Sequence, residues 1–175
     1  DIICVGEIRD GETAEIAMRA AMTGHLVITT IHTEDAISAI DVSDMGVAPY
    51  LIAAGLRGVI SQRLLRKICP NCKTQIQPPK KALEMAGIPE NLENYTGREP
   101  DAISASIRDT GRIGVFEVML IQEELAGDLR SVSRTRFLEA ARRASQYVPM
   151  LEHAQKLVEE GVSTVDEVIR TLLAL

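Results

Sequence analysis

The chain has no Trp, and two Phe and three Tyr bring aromatic residues to only 3% of its 175 positions, so any core must be packed from aliphatic side chains. Its three Cys, two of them in one short loop, do not make the disulfide framework of a small secreted domain. No apolar run approaches the roughly 18–20 residues that cross a bilayer, and no charged-then-apolar leader opens the sequence, which therefore reads as cytosolic. Positive charge is in short supply. With 19 Lys and Arg against 25 Asp and Glu, the formal net charge is −6, which argues against direct binding to nucleic acid. The one basic cluster, Arg57, Arg63, Arg66 and Lys67, reads as a solvated or subunit-facing surface in preference to a phosphate or lipid site. A further absence concerns nucleotides. The chain contains no Gly-Lys dipeptide, so the Gly-rich phosphate loop that ends in Gly-Lys-[Ser/Thr] is missing from it.

What is present is concentrated in the first thirty-three residues. Ile2-Ile3-Cys4-Val5 is a short apolar run that leads through Gly6 into Glu7, Ile8, Arg9 and Asp10; Leu26-Val27-Ile28 leads through Thr29, Thr30 and Ile31 into His32 and Thr33. Short apolar runs bounded by Gly read as strands of a parallel sheet buried on both faces, and ligands of such sheets sit beyond the carboxyl ends of the strands. Glu7 and His32 both stand at such ends. Between the runs, Asp10 is placed to cap a helix with Glu12 in its first turn and a body from Ala14 to Met22. The order strand, helix, strand predicts an α/β fold.

Further along, Glu34 to Met45 reads as a helix closed by Gly46, and Ala48 to about Ile68 as another, with Leu51, Ile52, Leu56, Val59, Ile60, Leu64 and Leu65 on a broad apolar face. Pro70, Pro78, Pro79, Pro89 and Pro100 punctuate the stretch from Cys69 to about Arg112, an irregular insert in which only Lys80 to Ala86 keeps a helical pattern. Ile113 to Leu120 alternates as a strand. Phe137 to Ala144 and Met150 to Glu159 read as helices, the second closed by Gly161. Thr164 with Glu167 forms a capping box ahead of a last helix whose apolar face is Val165, Val168, Ile169, Leu172 and Leu173.

The residues alone leave the chemistry open. Glu7 is a surface-loop acid or a general base; His32 is a hydrogen-bonding side chain or a ligand sensor; Arg9 pairs with Asp10 or Glu12, or belongs to a site. Cys69-Pro70-Asn71-Cys72 supplies two ligands where a closed zinc site needs four, and only Asp101 or Asp109 offers completion, so Zn²⁺ is not expected. A redox role is disfavoured because the motif does not open a helix after a strand. His153 carries no signal.

Several segments resemble one family in order. Ile2 to Asp10 followed by Glu12-Thr13 is similar to the Walker B segment of the ring-shaped secretion ATPases, the motors of type II secretion, type IV pilus assembly and DNA uptake. Thr23 to Thr33 resembles their histidine box. Gln62 to Lys73, Gly111 to Val118 and Gly161 to Val168 continue the likeness over nearly the whole chain. Relative to that pattern the chain has one residue fewer, and no Arg, between Ile40 and Asp44.

The resemblance implies a RecA-like P-loop piece whose parallel sheet is truncated at its N-terminal side. Residues 1–68 would be the C-terminal part of the ATPase core, 69–112 a reduced CxxC insert, and 113–175 a returning strand with a helical C-terminal subdomain. It implies Glu7 as the base that activates water, His32 and Arg9 near the γ-phosphate, and His25 and Thr13 as supporting residues. ATP and Mg²⁺ would be bound by the intact protein, a homo-hexamer peripheral to the bacterial inner membrane and working on its platform proteins. The chain opens without Met inside a strand and lacks the phosphate loop, so it reads as a fragment that binds ATP weakly and does not hydrolyse it. Two rivals are a non-catalytic scaffold docked on the ring or platform and a small zinc or redox module.

Overall fold

Asp10 turns the chain from strand to helix by a local device. Its backbone is extended, its carboxylate accepts the Thr13 N–H at 2.8 Å and the Thr13 hydroxyl at 3.0 Å, and helix α1 (Gly11–Met22) follows. The computed structural model describes residues 1–33, 35–71, 73–88, 95–97, 111–130 and 134–173. On either side of α1 lie β1 (Ile2–Cys4) and β2 (Leu26–Ile28), paired parallel with Ile2 opposite Leu26, Ile3 opposite Val27 and Cys4 opposite Ile28. The expectation of strands buried on both faces is corrected. Ile3 and Val27 turn inward, whereas Ile2, Leu26 and Ile28 are 66%, 55% and 53% exposed. Alternation along the strand sends neighbouring side chains to opposite faces, and among the described residues only one face is covered.

The chain divides into two compact units, residues 1–61 with 117–147 and residues 62–116 with 148–175. These boundaries fall differently from the three segments read along the sequence.

In the first unit, α1 contributes Ala14, Ala17 and Met18 to a core shared with Leu51 and Ile52 of α2 (Pro49–Gly55) and with Leu125 and Leu129 of α4 (Glu123–Arg130). Phe137 and Ala141 of α5 (Arg134–Arg143) complete it. Gly11 is required where it stands, because a Cβ there would lie 2.1 Å from the Met45 carbonyl oxygen. The helix expected over Glu34 to Met45 is a 3₁₀ helix over Ile37–Met45. The Asp35 side chain accepts the Ser38 N–H ahead of it, and left-handed Gly46 closes it. Glu117, 3% exposed, accepts a 2.5 Å hydrogen bond from the Tyr147 hydroxyl; burial, then that bond and the carboxylate's charge, push the phenol's pKa upward.

The long helix expected from Ala48 to about Ile68 is not formed. It stops at Gly55, and a nine-residue strand, β3 (Gly58–Arg66), takes the rest. Its burial alternates, with Ser61 and Leu65 buried and Ile60, Gln62, Leu64 and Arg66 exposed. Val59, Ile60, Leu64 and Leu65 fit a helical face as well as a strand, and the partner decides. β3 pairs with β6 (Arg112–Leu120); Ile121 N–H donates to the Arg57 carbonyl and Lys67 N–H to the Gly111 carbonyl, so the two run antiparallel.

The second unit is built around Leu65 and Val115 with Ala154, Leu157 and Val158 of α6 (Met150–Glu159) and Val165 and Val168 of α7 (Val165–Val168). The stretch read as an irregular insert contributes to this core. α3 (Lys80–Met85) supplies Leu83, Ala86, Ile88 and Tyr95 join it, and β4 (Thr74–Gln75) pairs antiparallel with β5 (Thr96–Gly97).

Thr164 caps α7 by accepting the Glu167 N–H at 3.2 Å. The Glu167 carboxylate does not reach back. It accepts the Arg66 N–H at 3.0 Å and a two-pronged contact from Arg170 at 2.6 and 2.9 Å. Burial works to raise this carboxyl's pKa, but the Arg170 hydrogen bond, the Arg66 N–H and the two guanidinium charges outweigh it, and the net shift is downward. A depressed folded pKa stabilises the protein above the ordinary Glu value of 4.5 and loses that contribution as pH falls through the lower folded value. Glu167→Gln should therefore cost about 1–2 kcal/mol at pH 7, after discounting the exposed Arg partners. In denaturant titrations at pH 7 and at pH 3 the gap to the unaltered protein should narrow at the lower pH; an equal gap at both would assign the effect to packing instead of charge.

Candidate functional site

The parallel pairing of β1 with β2 carries both chains off the sheet in the same direction, and the two polar segments meet there. Glu7 Oε2 lies 3.3 Å from His32 Nε2, and Glu7 Oε1 pairs with the Arg9 guanidinium. The Glu7 side chain is 31% exposed, against 75% for Arg9 and 92% for His32, so one half-covered carboxylate lies between two open cationic or hydrogen-bonding groups. Arg9 thus joins Glu7, not Asp10 or Glu12 as the ion-pair reading of the sequence had it. Gly6 precedes Glu7 in open space: a Cβ there would meet nothing within 4 Å.

The supporting residues lie apart from the pair. Thr13 is bound to Asp10 in the cap of α1, where its backbone and side-chain hydrogen bonds hold the Asp10 carboxyl below its usual range. His25 stands at the opposite end of β2 from His32; its Nδ1 lies 3.2 Å from the Ala20 carbonyl and 3.2 Å from the Thr23 hydroxyl, where it helps close α1. His153, which carries no signal in the sequence, accepts the Phe116 N–H at Nδ1 over 3.1 Å and stacks on the Phe116 ring. Its signal would have been a strand amide left without a partner, which only the folded pairing reveals.

Cys69 is buried, and its carbonyl accepts the Lys73 N–H in a tight turn. Cys72, Asp101 and Asp109 lie outside the described residues. Among the described residues no group of three or more His, Cys, Asp or Glu is placed to hold a metal ion. At the strand end Glu7 is the one carboxylate turned to the site, since Asp10 is bound to Thr13 in the helix cap, so this donor set does not by itself make a Mg²⁺ site.

Comparison with known proteins then decides the kinship. The family model described as "Type II/IV secretion system protein" matches residues 1–170. The chain belongs to that family. It is 38% identical over 175 residues to the type IV pilus assembly ATPase PilB of Thermus thermophilus, an alignment covering 97% of this chain and 20% of PilB. It is 36% identical over 176 residues to the type II secretion system protein E of Pseudomonas aeruginosa, covering 97% of this chain and 34% of that protein. The chain therefore spans a fifth to about a third of the length of these relatives. Among solved structures, the pilus retraction motor PilT with bound ADP superposes with a TM-score of 0.64 at 25% identity, over 97% of this chain and 39% of PilT. The Legionella pneumophila ATPase DotB superposes with a TM-score of 0.65 at 21% identity, over 95% of this chain and 37% of DotB, a likeness of fold. The α/β fold expected from the sequence is the one these secretion and pilus ATPases share.

The two thiols described differ in setting, since Cys4 is exposed on β1 and Cys69 is buried. Brief treatment of the native chain with a thiol reagent, followed by peptide mapping, should modify Cys4 first and leave Cys69 until the protein is unfolded. Equal labelling of both in the native state would show that the turn at Cys69 opens readily.

Proposed function

We propose that this chain is the C-terminal part of a motor ATPase that powers type II protein secretion or type IV pilus assembly, with Glu7 as the general base. The observation that supports it best is the meeting of Glu7 and His32 at the carboxyl ends of two parallel strands, where α/β folds bind ligands. The relatives named as ATPases, and PilT with its bound ADP, support nucleotide hydrolysis as the activity.

In this reading the Glu7 carboxylate orients a water and takes its proton as the water attacks the γ-phosphate of ATP. The contact at His32 is the one a water can enter, because His32 is the more open of the two partners. His32 then reports on the γ-phosphate, and Arg9 adds positive charge beside it. In the intact motor Mg²⁺ would neutralise charge on the phosphates; the carboxylates at this strand end do not by themselves hold it. The phosphate loop is contributed by sequence outside this chain, and the chain alone binds ATP weakly. The working protein is a homo-hexamer at the cytosolic face of the bacterial inner membrane, peripheral to it and coupled to membrane platform proteins. No helix among the described residues is long and apolar enough to cross a membrane.

The test is made in the intact motor. Glu7→Gln keeps the side chain's size and removes the charge that accepts the proton, so kcat should fall by about 10²–10⁴-fold while ATP affinity and ring assembly stay close to wild type. His32→Ala should alter the response to nucleotide and lower turnover less severely. Near wild-type kcat in Glu7→Gln would remove Glu7 from the role of base.

A further inference from the structure

The strand ladder loses its regular step at the site. Just beyond β1, Val5 N–H donates to the Ile28 carbonyl at 2.9 Å, and the next such bond along the same segment is Ile8 N–H to the Thr30 carbonyl, also 2.9 Å. Between these bonds the first chain advances three residues, Val5 to Ile8, and the second only two, Ile28 to Thr30. One residue is therefore extra on the Glu7 side, the signature of a bulge, which re-aims a side chain and leaves backbone groups without their ladder partners. The Gly6 carbonyl lies within this irregular step, and the Thr30 hydroxyl donates to it at 2.8 Å. Thr30 thus holds Glu7 on both sides. The Gly6 carbonyl belongs to the peptide plane before the Glu7 Cα and the Ile8 N–H to the plane after it. Fixing both planes fixes the only two soft backbone torsions Glu7 has. His32, two residues beyond Thr30, meets the carboxylate itself.

We propose that Thr30 is the positioning residue for the Glu7 carboxylate, its hydroxyl and carbonyl together setting the backbone angle from which the base addresses water. The inference rests on the reading of Glu7 as base. Another β-branched residue would suit the segment as well as Thr; what the Thr30 hydroxyl adds among the described contacts is a donor for the Gly6 carbonyl. Since misplacing a catalytic group by about 1 Å can cost up to about 10²-fold in rate, loss of the grip should appear in kcat and not in binding.

In the full-length motor, Thr30→Val removes the donor at nearly constant shape, and Thr30→Ser keeps it. Thr30→Val should lower kcat about tenfold with KM for ATP within about twofold of wild type, and Thr30→Ser should retain most of kcat. In a Glu7→Gln background the Val substitution should add nothing further, because a residue acting through the base has nothing left to act on. An unchanged kcat in Thr30→Val overturns the proposal, as does an equal loss in Thr30→Ser or an undiminished Val effect in the Glu7→Gln background. Should Thr30→Val fail to assemble, Thr30→Ala takes its place with the same expectations. Near wild-type kcat in Glu7→Gln alone is a different failure, that of the general-base reading.

Discussion

Everything at the site depends on the register of two three-residue strands. Ile3 stands opposite Val27 with both turned inward, and that choice of faces fixes where the chains leave the sheet. A slip of one residue would exchange inward and outward sets along a strand and carry Glu7 away from His32. So short a pairing cannot hold its register by its own hydrogen bonds. It is held by the crossover helix. α1 is tied at its start by Asp10 and Thr13, immediately after the site, and at its end by Thr23 and His25, immediately before β2. The helix in between buries Ala14, Ala17 and Met18 against α2. The caps and the packed face together fix the distance between strand ends, and the strand ends fix the pair.

The polar contacts at the site contribute little to holding the fold. Arg9 and His32 are far too exposed for their contacts with Glu7 to be strong in water, and exposed ion pairs of this kind are worth little. The buried carboxylates behave differently. Glu117 is matched by the Tyr147 hydroxyl and Glu167 by the Arg66 N–H and Arg170, each within one compact unit and each linking segments far apart in sequence. A chain with an excess of acids has placed two of them where they organise structure and left Glu7 partly open to solvent.

What could be read from the sequence was local. The Asp10 and Thr164 caps, the 150–159 helix, the strand from 112 to 120 and the ends of β1 and β2 are each announced by residues within a few positions of one another. The misreadings come where partners decide. β3 carries apolar residues at positions that satisfy both periods, and its pairing with β6, some fifty residues on, settles it as strand. α4 has a legible local pattern too, since Glu123 and Glu124 open it, Arg130 closes it and Leu125 and Leu129 face the core one turn apart, but at eight residues it is too short for a clear helical period. The segment expected as a helix from Glu34 to Met45 is wound as a 3₁₀ helix over Ile37–Met45, a tighter winding that the residue types alone do not announce.

Glu167 shows why a motif places a residue without stating its work. Read locally, Thr164 and Glu167 form a reciprocal box, and the half of it that needs only the local turn is present. The other half is given up, because the Glu167 carboxylate finds the Arg66 amide, 101 residues away, together with the guanidinium of Arg170, three residues on. A charged partner and a strand amide together outcompete a helix-end N–H that water can satisfy. The same competition operates at Glu7. Its position follows from an apolar run ending at a glycine, but the direction of its carboxylate follows from a residue twenty-three positions later, Thr30, whose hydroxyl and carbonyl take up the Gly6 carbonyl and the Ile8 N–H. Sequence pattern fixes where a carboxylate is attached to the fold; the backbone contacts around it determine what it can reach.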